Sequence, residues 1–281
     1  MRKRRQGRGA RRKIALHKAA SAKPRGAKTP ARSADGARSR TPRPARSRTG
    51  EAPRGRLRSW ALGVAAAAVA WPLAGVALYR FVPPPITVLM LERLAQGDGL
   101  HRRWAPIADI SPDLVRAVIA SEDARFCSHH GFDFAAMRKA AAHNARDPGK
   151  VRGGSTISQQ TAKNVFLWPG RSYVRKGLEA GYTVLIEALW GKRRIMEMYL
   201  NEVEWGPGVY GAQAASLRYF GHDAESLDTS EAARLAAILP DPLKWKAVRP
   251  GRYVQRRSRR ITAGAETVRA DDLAACVLGQ A

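Results

Sequence analysis

No charged side chain interrupts the chain between Arg58 and Arg80. A helix rises about 1.5 Å per residue, so about 20 residues cross a hydrocarbon core of roughly 30 Å. Residues 60–79 meet that length, and Trp60 and Tyr79 stand at the two ends, where interfacial aromatics belong. Residues 59–80 are therefore read as one transmembrane helix, which divides the chain into parts on opposite sides of a membrane. Eight alanines and Pro72 dilute the run, so a soluble alanine-rich helix is the competing reading. A cleaved signal peptide fits less well, because the charged segment ahead of the run is far longer than such leaders carry.

The first part, residues 1–58, holds 21 of the 50 Lys and Arg but only two acids, Asp35 and Glu51. Ala, Pro and Ser make up most of the rest. Such a composition cannot bury enough surface to fold, so it is read as a disordered basic tail. The positive-inside rule keeps this tail in the cytoplasm and places residues 80–281 outside the cell's inner membrane. Its Arg-Lys runs could hold nucleic acid or anionic lipid by charge alone. Nothing in it reads a base edge, so no specific nucleic-acid partner is expected.

After the span, Pro83-Pro84-Pro85 predicts a stiff extended connector. Residues 86–91 form an apolar run that suits a strand or a membrane-hugging segment, and Gln96-Gly97-Asp98-Gly99 marks a loop. Residues 81–99 are thus connector and 100–257 a folded domain. Apolar periodicity predicts helices over 112–126, 133–145, 155–166, 172–190, 192–203, 211–219 and 229–239, the last stopped by Pro240 and Pro242. Met137, Ala140, Ala141 and Ala142 are read as core, and residues 258–281 as weakly structured. The fold class is mostly α.

Three blocks carry chemistry. Ser-Glu-Asp-Ala-Arg-Phe-Cys-Ser-His-His-Gly, from Ser121 to Gly131, sets two carboxylates at a helix end beside an aromatic and a turn glycine. Solvated helix charge is the plainer reading of that stretch taken alone. Gly153-Gly154-Ser155-Thr156 opens a helix with Ser155 as its cap, followed by Gln159, Gln160 and Lys163; its free N–H groups and its lysine could hold a phosphate. The spacing is not that of a P-loop, and an ordinary capped helix explains the block equally well. In the third, Val174, Leu178, Tyr182, Leu185 and Leu189 make an apolar stripe with Glu179 at its border, near Arg175 and Lys176. Those cations could be simple intrahelical partners, or could line a cleft.

Together, Glu122-Asp123-x-x-Phe126-x-x-His129-x-Gly131, Gly154-Ser155-Thr156-Ile157-x-Gln159-Gln160, Arg175-Lys176-x-x-Glu179, Lys192-x-x-Ile195-x-x-x-Tyr199-Leu200-Asn201 and Gly211-x-x-x-Ala215-x-x-x-Tyr219-Phe220-Gly221 resemble the five ordered motifs of the peptidoglycan glycosyltransferases, which polymerise lipid II. The single anchor is similar to that of the monofunctional biosynthetic members. The resemblance implies a lysozyme-like helical domain with a smaller membrane-leaning lobe. It makes Glu122 the general base and Glu179 a second catalytic glutamate, orienting substrate or holding a divalent ion, Mg or Mn, at the pyrophosphate; no cofactor is otherwise required. Ser155, Lys163, Arg171 and Arg175 match positions that meet pyrophosphate or sugar. Thr156 and Lys176 stand beside them, and Asp123, Phe126, Gln159 and Gln160 shape the cleft. The implied partners are lipid II, the nascent glycan chain and membrane lipid, with cell-division or penicillin-binding proteins as candidate protein partners. A lytic transglycosylase and a membrane-tethered basic adaptor are the alternatives.

Two further expectations concern Cys127 and the residues around it. Cys127 with His129 and His130 is at best a fragment of a metal site. Cys127 and Cys276 would meet an oxidising compartment, but their separation fixes no geometry, so the sequence leaves their pairing open, with free thiols favoured.

Overall fold

A computed structural model describes residues 54–149, 152–170 and 172–279; the rest of the basic tail and Arg171 lie outside the described residues. Eleven α-helices and one small sheet follow in order: α1 (Arg54–Tyr79), α2 (Val88–Ala95), β1 (His101–Arg102), α3 (Pro112–Glu122), α4 (Phe134–Arg146), α5 (Ile157–Phe166), α6 (Tyr173–Leu189), α7 (Lys192–Glu202), β2 (Glu204–Gly206), β3 (Val209–Tyr210), α8 (Ala212–Tyr219), α9 (Thr229–Ile238), α10 (Arg252–Ala270) and α11 (Ala275–Leu278). The architecture is mostly helical, as the periodicity implied.

Most of α1 has nothing packed on it. Trp71 is 81% exposed, and Trp60, Leu62, Val64 and Val69 are exposed with it. Its Arg58–Tyr79 portion, with mean hydropathy 2.0, is long and apolar enough to cross a membrane. Only the last turn is docked: Val76 is fully buried, its carbonyl accepts Trp190 Nε1–H at 2.8 Å, and Arg194 donates to the Tyr79 carbonyl at 2.9 Å. Carbonyls at a helix C-terminus lack intrahelical partners, and a guanidinium satisfies them well. Phe166 stacks between, 4.5 Å from the Tyr182 ring and 5.8 Å from Tyr79.

The 86–91 run is not a strand; it leads into the helix α2, whose Val88 and Leu91 are exposed. Thr87 caps α2, accepting the Met90 N–H at 3.4 Å, and Met90 is buried in the body. Arg93 then pairs with Glu204 at 3.2 Å, so the folded unit starts before residue 100. Arg102 holds the proline connector from behind, donating to the Pro84 and Pro85 carbonyls while pairing with buried Glu202 at 2.6 Å.

The sheet has order β1-β3-β2, with β1 parallel and β2 antiparallel to β3. Gly208 in the turn between β2 and β3 has φ +66°, and a Cβ there would stand 2.3 Å from the Asp98 carbonyl. The tight approach lets the Gly208 carbonyl accept the His101 N–H at 2.7 Å.

α3, α9 and α10 make the main core layer. Ser111 caps α3 with Pro112 in its first turn, and Leu114, Val115, Val118 and Ile119 are fully buried. Residues 258–281 are not weakly structured. Val254, Ile261, Ala265 and Val268 recur at helical spacing and bury one stripe of α10 against α3 and α9. The abundance of arginine on the other faces hides that stripe in the sequence. The α4 residues read as core are also corrected: among them only Ala140 is buried. It rests where a Cβ on Gly154 would lie 3.2 Å away, and Ala141 and Ala142 face outward.

Cys127 and Cys276 are joined in a disulfide, with their Cα atoms 5.6 Å apart. Its neighbour contact is Arg193 donating to the Val277 carbonyl at 2.6 Å. The bond therefore ties α11 to the turn that follows α3, closing a loop of 149 positions. Cys276→Ser is expected to cost about 2–5 kcal/mol, seen as a lower Tm that reductant reproduces in the wild type and does not deepen in the variant.

Candidate active site

α3 ends on Glu122, and Asp123 is its C-cap rather than a further helical residue. Buried Asp123 accepts the backbone N–H of Ile157, the first residue of α5, at 3.0 Å. Its other contact is His129 Nε2, at 3.0 and 3.1 Å. A carboxylate at a helix N-terminus is favoured by the dipole and by the unpaired N–H groups there. Thr156, not Ser155, caps α5: its hydroxyl accepts the Gln159 N–H, and Gln159 Oε1 accepts the Thr156 N–H in return. The same hydroxyl donates to the Gly131 carbonyl at 2.6 Å, a buried partner that exposed Ser155 lacks. Gly131 has φ +89°, and a Cβ there would meet Thr183 of α6 at 2.8 Å. One small knot thus joins α3, α5 and α6.

That knot aims Glu122 at α5. Gln160 Nε2 donates to Glu122 Oε2 at 3.2 Å, and Arg257 of α10 lies 3.5 Å from Oε1. The Tyr199 hydroxyl donates to Gln160 Oε1 at 3.3 Å, which turns the amide nitrogen toward the carboxylate. Burial raises the Glu122 pKa above its ordinary value; Gln160 and Arg257 oppose the rise and Asp123 adds to it. Tyr199, fully buried, is pushed well up by that burial and by the two carboxylates.

Glu122 lines a groove of about 310 Å³, with Arg125, Lys139, Ser155 and Thr156 among its other walls. A second groove of about 530 Å³ is lined by Arg93, Gln160, Lys163, Arg175 and Glu204. Gln160 touches both, since it lines the second and bonds the base of the first. Lys163 stands one helical turn beyond it, so their side chains are neighbours.

Across from α5, α6 turns a charged face inward. The residues it buries are Arg175, Glu179, Thr183 and Ile186, whereas Val174 and Leu178 of the expected apolar stripe are exposed. The periodicity gave the right helix and part of its packed face: Tyr182, Leu185 and Leu189 pack against the core, whereas Val174 and Leu178, near the helix start, stay exposed. Glu179 accepts from Arg175 Nη1 at 2.7 Å and also pairs with Lys176, whose ammonium reaches Ser155 Oγ at 3.3 Å. Burial lowers the Lys163 pKa, the Glu179 charge opposes this, and Arg175 and Lys176 lower it further. Three cations thus surround one carboxylate between the grooves.

The donors at Glu179 do not fit a divalent ion, because both its oxygens are taken by cations that would repel Mg or Mn. The Cys127 and His129 fragment fares no better, with the sulfur in a disulfide and the imidazole on Asp123. Among the described residues no three His, Cys, Asp or Glu side chains gather as metal ligands.

Of the substrate-binding positions expected, Lys163, Gln160, Arg175, Ser155, Thr156 and Asp123 line the grooves. Lys176 joins through Ser155. Phe126 and Gln159 are core instead: the ring is fully buried under the Lys192 ammonium, 4.5 Å from its centroid, and the amide is spent on the capping box. Arg171 lies outside the described residues. Arg257, Tyr199 and the Arg93–Glu204 pair escaped the sequence reading of the site. Arg257 sits in a dense arginine run at what was taken for the domain's end, so nothing local singled it out.

A half-buried carboxylate at a helix end, a cationic cluster one helical turn along α5 and a long apolar N-terminal helix are what the site and its surroundings present. The model of the Transglycosylase family matches residues 90–266, and the chain belongs to that family. Biosynthetic peptidoglycan transglycosylases are similar over most of its length. That of Caulobacter vibrioides is 58% identical over 221 residues, covering 79% of this chain and 96% of the relative. That of Rhodospirillum centenum is 54% identical, covering 74% and 94%, and that of Pseudomonas aeruginosa is 56% identical, covering 65% and 81%.

The Glu122 environment makes two predictions. Gln160 and Arg257 both favour the ionised form, so Gln160→Ala or Arg257→Gln should move the acid limb of the kcat/KM profile to higher pH. A carboxyl whose pKa is higher folded than unfolded loses stability as pH rises from the unfolded to the folded value. Glu122→Gln should therefore match or exceed the wild-type Tm at neutral pH, the gain vanishing in acid, where both forms are neutral.

Proposed function

We propose that this chain polymerises peptidoglycan glycan strands, with Glu122 as the base and the Lys163, Arg175 and Lys176 cluster receiving the leaving pyrophosphate. The acceptor's GlcNAc 4-hydroxyl stands at Glu122. Its oxygen attacks C1 of the donor's lipid-linked MurNAc, the proton passes to the carboxylate, and the C1–O bond to phosphate breaks with its electron pair on undecaprenyl pyrophosphate. The configuration inverts from α to β. Burial raises the Glu122 pKa, which makes its carboxylate a stronger base. Pyrophosphate departs as a stable anion, so it needs positive charge rather than a proton donor, and three cations without a second acid meet that need. Glu179 holds two of them in place. No step in this scheme runs through a divalent ion.

The single observation that carries this reading is the Gln160 bridge, which sets the base of one groove a helical turn from the first cation of the other. Hydrolysis of a glycoside instead demands a protonated acid at the leaving oxygen, and the cation cluster offers none. Orientation follows the same reading: we place the tail in the cytoplasm and the catalytic domain outside the inner membrane. Two facts support this, the dense arginine before α1 and a disulfide suited to an oxidising compartment.

Purified chain given labelled lipid II should yield long glycan strands, and no anhydro-muropeptides from finished sacculi. Glu122→Gln should lower turnover about 10²–10⁴-fold while remaining folded. Removing residues 1–53 should leave turnover within about twofold, where a basic adaptor would lose all function.

A further inference from the structure

Beside the Glu122 groove runs a third one, of about 380 Å³, which shares Ala120 and Ser121 with it. Its outer wall is one face of α10, where Tyr253, Arg256, Arg257 and Arg260 recur at i, i+3, i+4 and i+7. No carboxylate lines it. Arg257 reaches Glu122 and the Ala237 carbonyl, but Arg256 and Arg260 are exposed and make no ion pair or hydrogen bond among the described residues. Unpaired guanidiniums along a groove await planar anions, which they bind bidentately. The groove leads away from the point where the acceptor hydroxyl must sit, and α10 packs on α3 and α9, whereas the membrane helix docks on α6.

We propose that the face carrying Arg256, Arg257 and Arg260 is a subsite for the carboxylates of the peptide borne by the acceptor sugar. This rests on the polymerase reading above, because it takes the acceptor to be a peptide-bearing glycan whose 4-hydroxyl lies at Glu122. A bilayer headgroup fits less well. A membrane-facing basic helix adds apolar anchors to its charges, and Tyr253 is the one exposed large apolar side chain of α10. A flexible peptide with free carboxylates needs no such anchor. It also matches a row of cations spaced along a helix rather than clustered at one point.

The test compares two acceptors with the full chain in neutral detergent, one with its peptide carboxylates free and one with them amidated. Wild type should use the free form with a KM about 3–10-fold lower, the scale of two exposed charge contacts. Arg256→Gln/Arg260→Gln replaces two exposed side chains and should erase that difference by raising KM for the free form alone, with kcat within about twofold. Polymer formed from both acceptors with equal wild-type KM overturns the subsite and leaves the polymerase reading standing. The same result follows if the double variant loses affinity for both acceptors equally. A loss that appears only with vesicles containing anionic phospholipid, and not with carboxylate state, assigns the groove to headgroups and overturns it too. No polymer from either acceptor overturns the polymerase reading and the subsite with it.

Discussion

The site depends on one buried carboxylate that joins two helices. Asp123 accepts the first N–H of α5 and holds His129, so the end of one helix is fixed to the start of another. A buried polar group is costly unless it is hydrogen-bonded, and both oxygens of Asp123 have partners. Because it is the residue next to Glu122, the backbone that satisfies it also decides where the base points. Because it meets the first residue of α5, it also sets the rotation of that helix, and with it the placing of Gln160 and Lys163 on successive turns. A single contact therefore helps set Glu122 against the cations of the neighbouring groove.

Around that fixed point the protein separates stability from function. The core of α3, α9 and α10 is apolar and closed, with Leu114, Val118, Ile119, Leu235 and Ile238 fully buried. The site is the reverse: Glu122 sits where burial disfavours its charge, Lys163 likewise, and Glu179 needs two cations to be tolerated at all. Removing one partner from such a network leaves an unpaired buried charge, which is far costlier than losing an exposed pair. The disulfide and the α10 stripe lie on the core side, stiffening the scaffold against which these charges are held.

Much of this was legible in the sequence, unevenly. Helix positions followed from apolar spacing, and the elements over 192–203 and 229–239 were placed within about a residue of the observed α7 and α9. Glu122, Lys163, Arg175 and Glu179 stood out because residue types of that chemistry recur in an order resembling a known family. Facing was less legible. On α6 the buried stripe contains Arg175 and Glu179, and no hydrophobic rule points charges inward. α10 was missed because four buried residues are scattered among arginines, and Arg257 because its role exists only through a contact 135 positions away. The disulfide was undecidable for the same reason: chain separation says nothing about proximity until the fold supplies it.

α1 and the cation cluster share α6 at opposite ends: α1 docks at Trp190, just past the C-terminus of α6, and Arg175 and Lys176 lie in the first turns of α6. The last turn of α1 is pinned to α6 and α7 by Trp190 and Arg194, so the end of the apolar helix is held at the helix that presents Arg175 and Lys176. Near the start of α6, Tyr173, Val174, Leu178 and neighbouring Trp168 remain exposed, an apolar margin beside a cationic interior. A polyisoprenyl pyrophosphate has the same division, a hydrocarbon chain joined to a compact dianion or trianion. Under the reading proposed above, the hydrocarbon would lie on that margin and the phosphates at Lys163 and Arg175. Glu122 lies beyond Gln160, which lines the larger groove and bonds the carboxylate that lines the smaller one. α1 thus does more than extend from the domain: its last turn closes over Trp190 at the C-terminal end of α6 and over Arg194 of α7, and so holds the two helices together.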